Sequence, residues 1–317
     1  MTHRLAADIG GTKTLLALRD HDTLVARQRF ENSQWPNLET MIQHYVQEAG
    51  SPPLTDACLA VAGPVVNNTC VLSNLAWVVS GSQISAALGQ IPVQLINDFA
   101  AVGYGLVQLP DHDLHMLQPG IPQPQAPIAF LGAGTGLGEG FAIWQQDHYR
   151  VYASEGGHCD FAPRGELEYR LLQFLQQRFT RVSVERVVSG MGLRHIYDFL
   201  AQDFPDHYNP DIDTAEISRG ALQHRDPLSE KTLQLFIHAY GAEAGNLALK
   251  TLPRGGLYIA GGIAPKVLPL FESYRFLDAF LDKGRMSPLL QEIPVSVVLN
   301  AQVGLLGAAF YPEAIAS

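Results

Sequence analysis

The sequence predicts an α/β protein organised in two successive series of strands and helices. Three observations predict it. Apolar, strand-like runs end in glycine-rich turns at DIGGT (8–12), GAGTGLG (132–138) and AGG (260–262). Stretches with apolar residues at helical spacing alternate with those runs. A segment carrying Pro110, Pro119, Pro122, Pro124 and Pro127 separates the first series from the second.

Taken in order, RLAADIGGTKTLLALRDHDTLVARQRF reads as a strand, a Gly-Gly turn and hairpin partners, with a second turn from Asp20 to Thr23. Residues 37–49 set Leu38, Met41, Ile42, Tyr45 and Val46 at helical spacing. ACLAVAG and PVQLI are the next strands, and the second runs into Asn97 and Asp98, where a helix can start. Residues 109–127 read as a connection between domains or a long surface loop. IAFLGAGTGLGEGFAIW opens the second series, followed by helical stretches near 165–178 and 227–251 and the strands GLYIAGG and IPVSVVL. Gly241 and Gly245, four apart, allow close helix packing. The segments 5–18 and 128–144 share one plan of strand, Gly-rich turn and strand, yet no fixed-period repeat runs through the chain.

With 317 residues, 47% hydrophobic and 16% charged, the chain has the balance of a folded soluble protein of one large or two ordinary domains. A net charge of -10, with 21 scattered Lys and Arg, argues against nucleic acid and anionic membrane as partners. It leaves a nucleotide open, because backbone N–H groups and a metal ion bind phosphate on an acidic protein. MTHRLAADIG reaches Asp8 before an apolar signal core forms, and the run from Ala57 to Val66 is cut by Gly63 and Pro64. Cys58, Cys70 and Cys159 are odd in number and widely spaced, which suits reduced thiols. The expectation is a cytoplasmic protein.

Glycine turns let a backbone approach a ligand and point successive N–H groups at one anion. Singly, each is equally a plain tight turn; three, two of them with Thr12 or Thr135 beside glycine, point to phosphate. The familiar nucleotide patterns are absent: no Gly-Lys pair exists for a Walker A loop, and Leu137 breaks a GxGxxG spacing from Gly132. Asp8 before the first turn suits a hydrated magnesium ion, or simply forms the turn. Asn97 and Asp98 read as a helix cap, a role that does not exclude catalysis. In ASEGGHCDFAP (153–163), Glu155 and His158 stand three apart on a loop and suit a polyhydroxylated ligand, although a lone loop His is commonly just solvated. Glu185, in RVSVERVVSG, reads by itself as an exposed helix residue.

In order along the chain, DIGGT, LAVAGPV, SNLAW, INDF, GAGTGLG, SEGGHCDFAP, VSVERVVSG, NLAL, AGGIAPK, FLDAFLDKGRM and GLLGAA resemble the bacterial glucokinase family. These are ATP-dependent hexose kinases of the actin-like ATPase fold. The resemblance implies two α/β domains, a smaller one of residues 1–108 plus 304–317 and a larger one of 109–303, with the active site in the cleft between them. It implies ATP and Mg2+ as cofactors, D-glucose as substrate in the first step of glycolysis, and a homodimer. By matching stretch, Ala7, Asp8, Ile9, Gly10, Gly11 and Thr12 form the first phosphate turn and Gly134, Thr135 and Gly136 the second, with Gly261 and Gly262 near the adenosine. Asp8 is then the Mg2+ residue, through water. Asn97, Asp98, Glu155, His158 and Glu185 ring the sugar, with Gly63, Pro64, Ser73 and Asn74 near it. Asp98 is the general base for the 6-hydroxyl, since phosphoryl transfer asks the protein for positioning and a proton acceptor.

Two departures stand out. Lys13 and Thr14 follow GGT where close glucokinases more often carry Asn and a small residue, and DIGGTK is more similar to the related repressor and open-reading-frame kinase group. That group's Cys-rich zinc motif is represented only by Cys159, so no zinc is expected. A kinase for mannose, fructose or an N-acetylated amino sugar is the alternative. A sugar-responsive regulator on the same fold would call for a helix-turn-helix and a basic face.

Overall fold

The computed structural model describes residues 2–72, 75 and 77–312. Ser73 and Asn74 lie outside the described residues. The chain divides into two compact units, Met1–Pro110 with Tyr149–Ala153 and Asn300–Ser317, and Asp111–His148 with Ser154–Leu299. The bounds differ from the sequence expectation in the C-terminal return and in the short run 149–153. The latter joins the first unit, where the Val151 backbone meets the Tyr104 hydroxyl.

In the first unit, β1 (His3–Ile9), β2 (Lys13–Asp20) and β3 (Thr23–Glu31) form an antiparallel meander. β4 (Leu54–Val61) pairs parallel with β1, and β7 (Val93–Asn97) parallel with β4, giving the order β3-β2-β1-β4-β7. β5 (Thr69–Leu72) and β6 (Trp77–Ser80) make a separate hairpin that the sequence did not signal. The two-residue period of β1 sorts its side chains. Leu5, Ala7 and Ile9 join Leu38, Met41, Ile42 and Tyr45 of α1 (Leu38–Glu48) and Ile84 of α2 (Gly81–Ala87) on one face. Asn37 caps α1 by accepting from Thr40 N at 2.9 Å.

On the other face Ala6, Ala17 and Ala60 pack with Ala101 of α3 (Asp98–Leu106) and with Leu305, Ala308 and Ala309 of the last helix, α11 (Val303–Ala309). Those alanines leave room for two helices to lie close. A Cβ on Gly307 would run into the Ala101 carbonyl, and one on Gly105 into that of Val303, so α3 and α11 cross backbone to backbone.

In the second unit β10 (Leu137–Gln145), β9 (Ile128–Ala133), β12 (Gly256–Ala260), β13 (Val295–Val298) and β8 (Leu114–Gln118) lie side by side in that order, and β11 (His148–Ser154) follows β10 in sequence. β9, β12 and β13 are mutually parallel, β10 and β8 antiparallel to their neighbours. Every residue of β9 is buried, as a central strand covered on both faces must be. β8 is a correction. The proline-rich segment read as connection or loop holds an edge strand, whose LHMLQ has no hydrophobic alternation to announce it and is defined by its register with β13.

Helices α4 (Gly165–Gln176), α5 (Gly190–Leu200) and α6 (Thr214–Leu222) precede the 25-residue α7 (Pro227–Thr251). After β12 come α8 (Leu268–Ser273), α9 (Phe276–Leu281) and α10 (Ser287–Gln291). α7 is the buried axis of the unit's core. Its Gly241 and Gly245 are where α9 crosses, against the carbonyls of Phe276 and Phe280, which accounts for the glycine pair.

One buried charge is out of keeping with this core. Glu139 on β10 is 2% exposed, faces Glu243 of α7 at 4%, and leaves Oε1 without a hydrogen-bond partner. Glu243 Oε1 likewise lacks a hydrogen-bond partner, with Lys250 Nζ at 3.7 Å, but its Oε2 accepts from Asn246 Nδ2 at 3.0 Å. Burial first, and then the Glu243 charge, push the Glu139 carboxyl from 4.5 up to about 8. The folded chain thus keeps a proton that the unfolded chain releases across that window, and stability falls as pH rises through it. Replacing Glu139 by Gln removes the decline. Denaturant titrations should show E139Q gaining about 2–4 kcal/mol on the wild type between pH 5 and pH 8.5, and equal slopes would refute the neutral acid.

Candidate active site

In the first unit the parallel register sets Asp8 opposite Ala60, Ile9 opposite Val61, and Val61 opposite Asn97. The carboxyl ends of β1, β4 and β7 are therefore level, and the segments that follow leave from one edge: Gly10–Thr12, Gly63–Pro64 and Asp98. Ligands of open α/β sheets bind at such an edge.

Asn97 resolves the cap at α3. Its Oδ1 accepts from Phe99 N at 3.0 Å and Ala100 N at 3.1 Å, and its Nδ2 donates to Gly63 O at 3.2 Å and to Asp98 Oδ1 at 3.1 Å. The carboxamide thus ties the β4 and β7 ends together and leaves Asp98 as the first helical residue. Asp98 Oδ1 also accepts from Phe99 N at 2.8 Å. Two donors thus meet Asp98 Oδ1 at the start of α3.

Asp8 sits on the α3 and α11 side of β1, half-buried, with Gly304 of α11 so near that a Cβ there would lie 3.1 Å from Oδ2. Burial and then the Asp98 charge push its carboxyl up to about 6. Burial and Asp98 also raise the Cys70 thiol. Ala7 and Ile9, flanking Asp8, are fully buried and anchor the strand; Pro64 is exposed and Gly63 partly so. The turn itself is closed by Gly10 N donating to Lys13 O at 2.9 Å.

In the second unit β9 and β12 run parallel with Gly132 opposite Ala260, so the turn at Gly134–Gly136 and the turn at Gly261–Gly262 also leave from one edge. Gly134 N donates to Gly136 O at 2.8 Å, and Gly190 N donates to Gly134 O at 2.8 Å. Thr135 is exposed at the tip. Gly261 has φ +83°, and a Cβ would come 2.5 Å from Ala133 O, so this position needs glycine twice over.

The segments holding Glu155, His158 and Glu185 are stitched by Val184 N donating to Cys159 O at 2.9 Å and by a bridge between Asp160 and Ser183. His158 Nε2 lies 3.9 Å from Glu155 Oε2, and its Nδ1 lies 3.9 Å from Glu185 Oε1. Glu155 is solvent-exposed, whereas Glu185 is mostly enclosed. Glu185 Oε2 accepts from Leu137 N at 2.9 Å, the amide that ends the second glycine turn, and fills the space where a Gly136 side chain would stand. The expectation of a plain exposed residue does not hold for Glu185.

Two contributors have no local sequence signal. Tyr240 of α7, fully buried, accepts from Ala133 N at 3.0 Å and donates to Ala260 O at 3.4 Å, joining the strand ends that carry both turns. Asn32, after β3, donates from Nδ2 to Gly10 O at 2.9 Å. Among the described residues no group of three or more His, Cys, Asp or Glu side chains could hold a metal, and no helix is long and apolar enough to cross a membrane.

Two α/β units with glycine turns at the carboxyl ends of parallel strands define an actin-like ATPase fold of the sugar-kinase type. Solved structures share it: a glucokinase from an Antarctic psychrotroph superposes with TM-score 0.88 at 32% identity, covering 98% of both chains. A ROK family glucokinase from Streptomyces griseus, in complex with glucose and AMPPNP, gives 0.66 at 21% identity, covering 97% of this chain and 98% of that one. The glucokinase family model matches residues 5–314, and the glucokinase of Nostoc punctiforme is 52% identical over 98% of each chain. The chain belongs to the glucokinase family.

Asn97 has a measurable structural share. Replacing it by Ala removes the cap on α3 and should cost about 1 kcal/mol in denaturant unfolding. A loss no larger than that of a surface substitution would show that the cap carries no stability.

Proposed function

We propose that the chain phosphorylates D-glucose at the 6-hydroxyl with ATP, Asp98 acting as the general base. The observation that supports this reading is the pairing of Asp98 with Asn97. The amides of Asn97 and Phe99 hold Asp98 Oδ1, so a proton acceptor is fixed in place before substrate arrives.

In this reading Asp98 takes the proton of the 6-hydroxyl as that oxygen bonds to the γ-phosphorus and the bond to the ADP oxygen breaks. Glu155 and Glu185 accept hydrogen bonds from sugar hydroxyls. His158, 3.9 Å from each carboxylate, donates to another hydroxyl and restrains both acids. Asn97, whose amide and carbonyl already have protein partners, serves the sugar mainly by aiming Asp98; Gly63 and Pro64 border it, as Asn74 does by resemblance. An analogue lacking a hydroxyl leaves an enclosed acceptor such as Glu185 unpaired and is rejected. Gly10 and Gly134 close the two turns with their own amides, which leaves the N–H groups of Gly11 and Thr12 and of Thr135 and Gly136 to take the phosphates, and Gly261 and Gly262 border the adenosine.

Mg2+ fits the acid present. Asp8 is a carboxylate raised by burial and by a like-charged neighbour, a situation that a hard cation relieves. Asp8 is the residue that would hold the ion, through water as the resemblance implies. When bound, the ion neutralises charge on the transferring phosphoryl group. The resemblance also implies a homodimer, which sedimentation equilibrium checks.

The test is a coupled assay for glucose 6-phosphate with Mg-ATP and a hexose panel, wild type beside Asp98→Asn. The variant should lose about 10²–10⁴ in kcat while retaining glucose binding by calorimetry. Near-normal turnover would remove Asp98 from the role of base, and a wild type selective for another hexose would overturn the assignment to glucose.

A further inference from the structure

The first glycine turn runs through Lys13 into Thr14, and the structure gives Thr14 a buried partner. Thr14, on β2, is 0% exposed and Asn32 is 1% exposed. Thr14 Oγ1 donates to Asn32 Oδ1 at 2.8 Å, Asn32 Nδ2 donates to Gly10 O at 2.9 Å, and Asn32 N donates to Thr12 O at 2.9 Å. The orientation of the carboxamide follows from chemistry. Gly10 O only accepts, so the atom facing it is nitrogen, and the remaining oxygen receives the threonine proton.

A trans peptide points its C=O and the following N–H in opposite directions. Drawing the Gly10 carbonyl toward Asn32 therefore turns the Gly11 N–H away from Asn32, out of the buried side of the turn. The Thr12 carbonyl is drawn to the same residue. One side chain and its own backbone N–H thus set two of the peptide planes in the first glycine turn. Thr14 supplies the donor that keeps the carboxamide from rotating.

We infer that Asn32, locked by Thr14, is a positioning residue for the first phosphate turn and sets the affinity of the chain for the nucleotide. The inference rests on the reading of that turn as phosphate-binding. Asn32 touches no substrate. Its effect passes through the Gly11 amide, so it belongs to nucleotide binding and not to the sugar. The pair also gives Thr14 a physical account: a hydroxyl at this position is needed because a buried carboxamide oxygen faces it, and an unpaired one would carry the cost of desolvation.

The experiment uses the full chain with Thr14→Val, which keeps the shape and removes the hydroxyl, Thr14→Ser, which restores it, and Asn32→Asp. Binding of Mg-AMPPNP is measured by calorimetry without sugar, and KM for ATP and for glucose by the coupled assay. T14V should weaken nucleotide binding about tenfold, with KM for ATP rising in parallel, KM for glucose unchanged and T14S close to wild type. N32D, which replaces the Nδ2 donor by an acceptor facing Gly10 O, should weaken nucleotide at least as much, and decides the matter if T14V does not fold. Unchanged nucleotide affinity in both variants, or equal losses for nucleotide and glucose, overturns the inference. A wild type that binds no nucleotide, or binds it and phosphorylates no hexose, instead faults the proposed activity.

Discussion

The parallel register of β1, β4 and β7 is the constraint on which the first unit depends. Because Ile9, Val61 and Asn97 are level, three connections leave the sheet at one edge, and the carboxylates of Asp8 and Asp98 come close enough to raise one of them. A one-residue slip would turn the inward side chains of a strand to the opposite face, carrying Asp8 into the apolar layer of α1 and α2. The apolar alternation of β1 therefore holds the acid in place as well as the core.

The same economy appears in the second unit. β9 and β12 bring two glycine turns to one edge, and the hydroxyl of Tyr240 joins the two strand ends from the helix packed behind them. Glu185 joins a glycine turn to the loop of His158 through the Leu137 amide. Tyr240 and Asn32, which meet no substrate in the proposed reaction, back the turns as buried polar groups. A backbone held from behind meets a phosphate without reorganising, which is the condition for an effective electrostatic site.

Much of the candidate site was legible. Glycine turns announce themselves because glycine is needed where backbones approach closely, as at Gly261, and Asn-Asp before an apolar helix announces a cap, as at Asn97. Glu185 was not legible from its surroundings: its partner amide is 48 residues away. Nor was β8, an edge strand without alternation, or the hairpin of β5 and β6.

By itself the sequence determined the α/β class, the apolar stripe of α1, the three glycine turns, the helix start at Asn97 and the family resemblance. All of these follow from local rules, since side-chain period, backbone freedom and capping act within a few residues. The tertiary structure decided that Asn97, besides capping α3, ties the end of β4 at Gly63 to Asp98. It also decided that Glu139 is buried against Glu243, and that Asn32 and Tyr240 stand behind the turns. Those outcomes depend on pairs separated by 18 to 107 residues, whose meeting is set by strand register and helix packing rather than by any pattern along the chain.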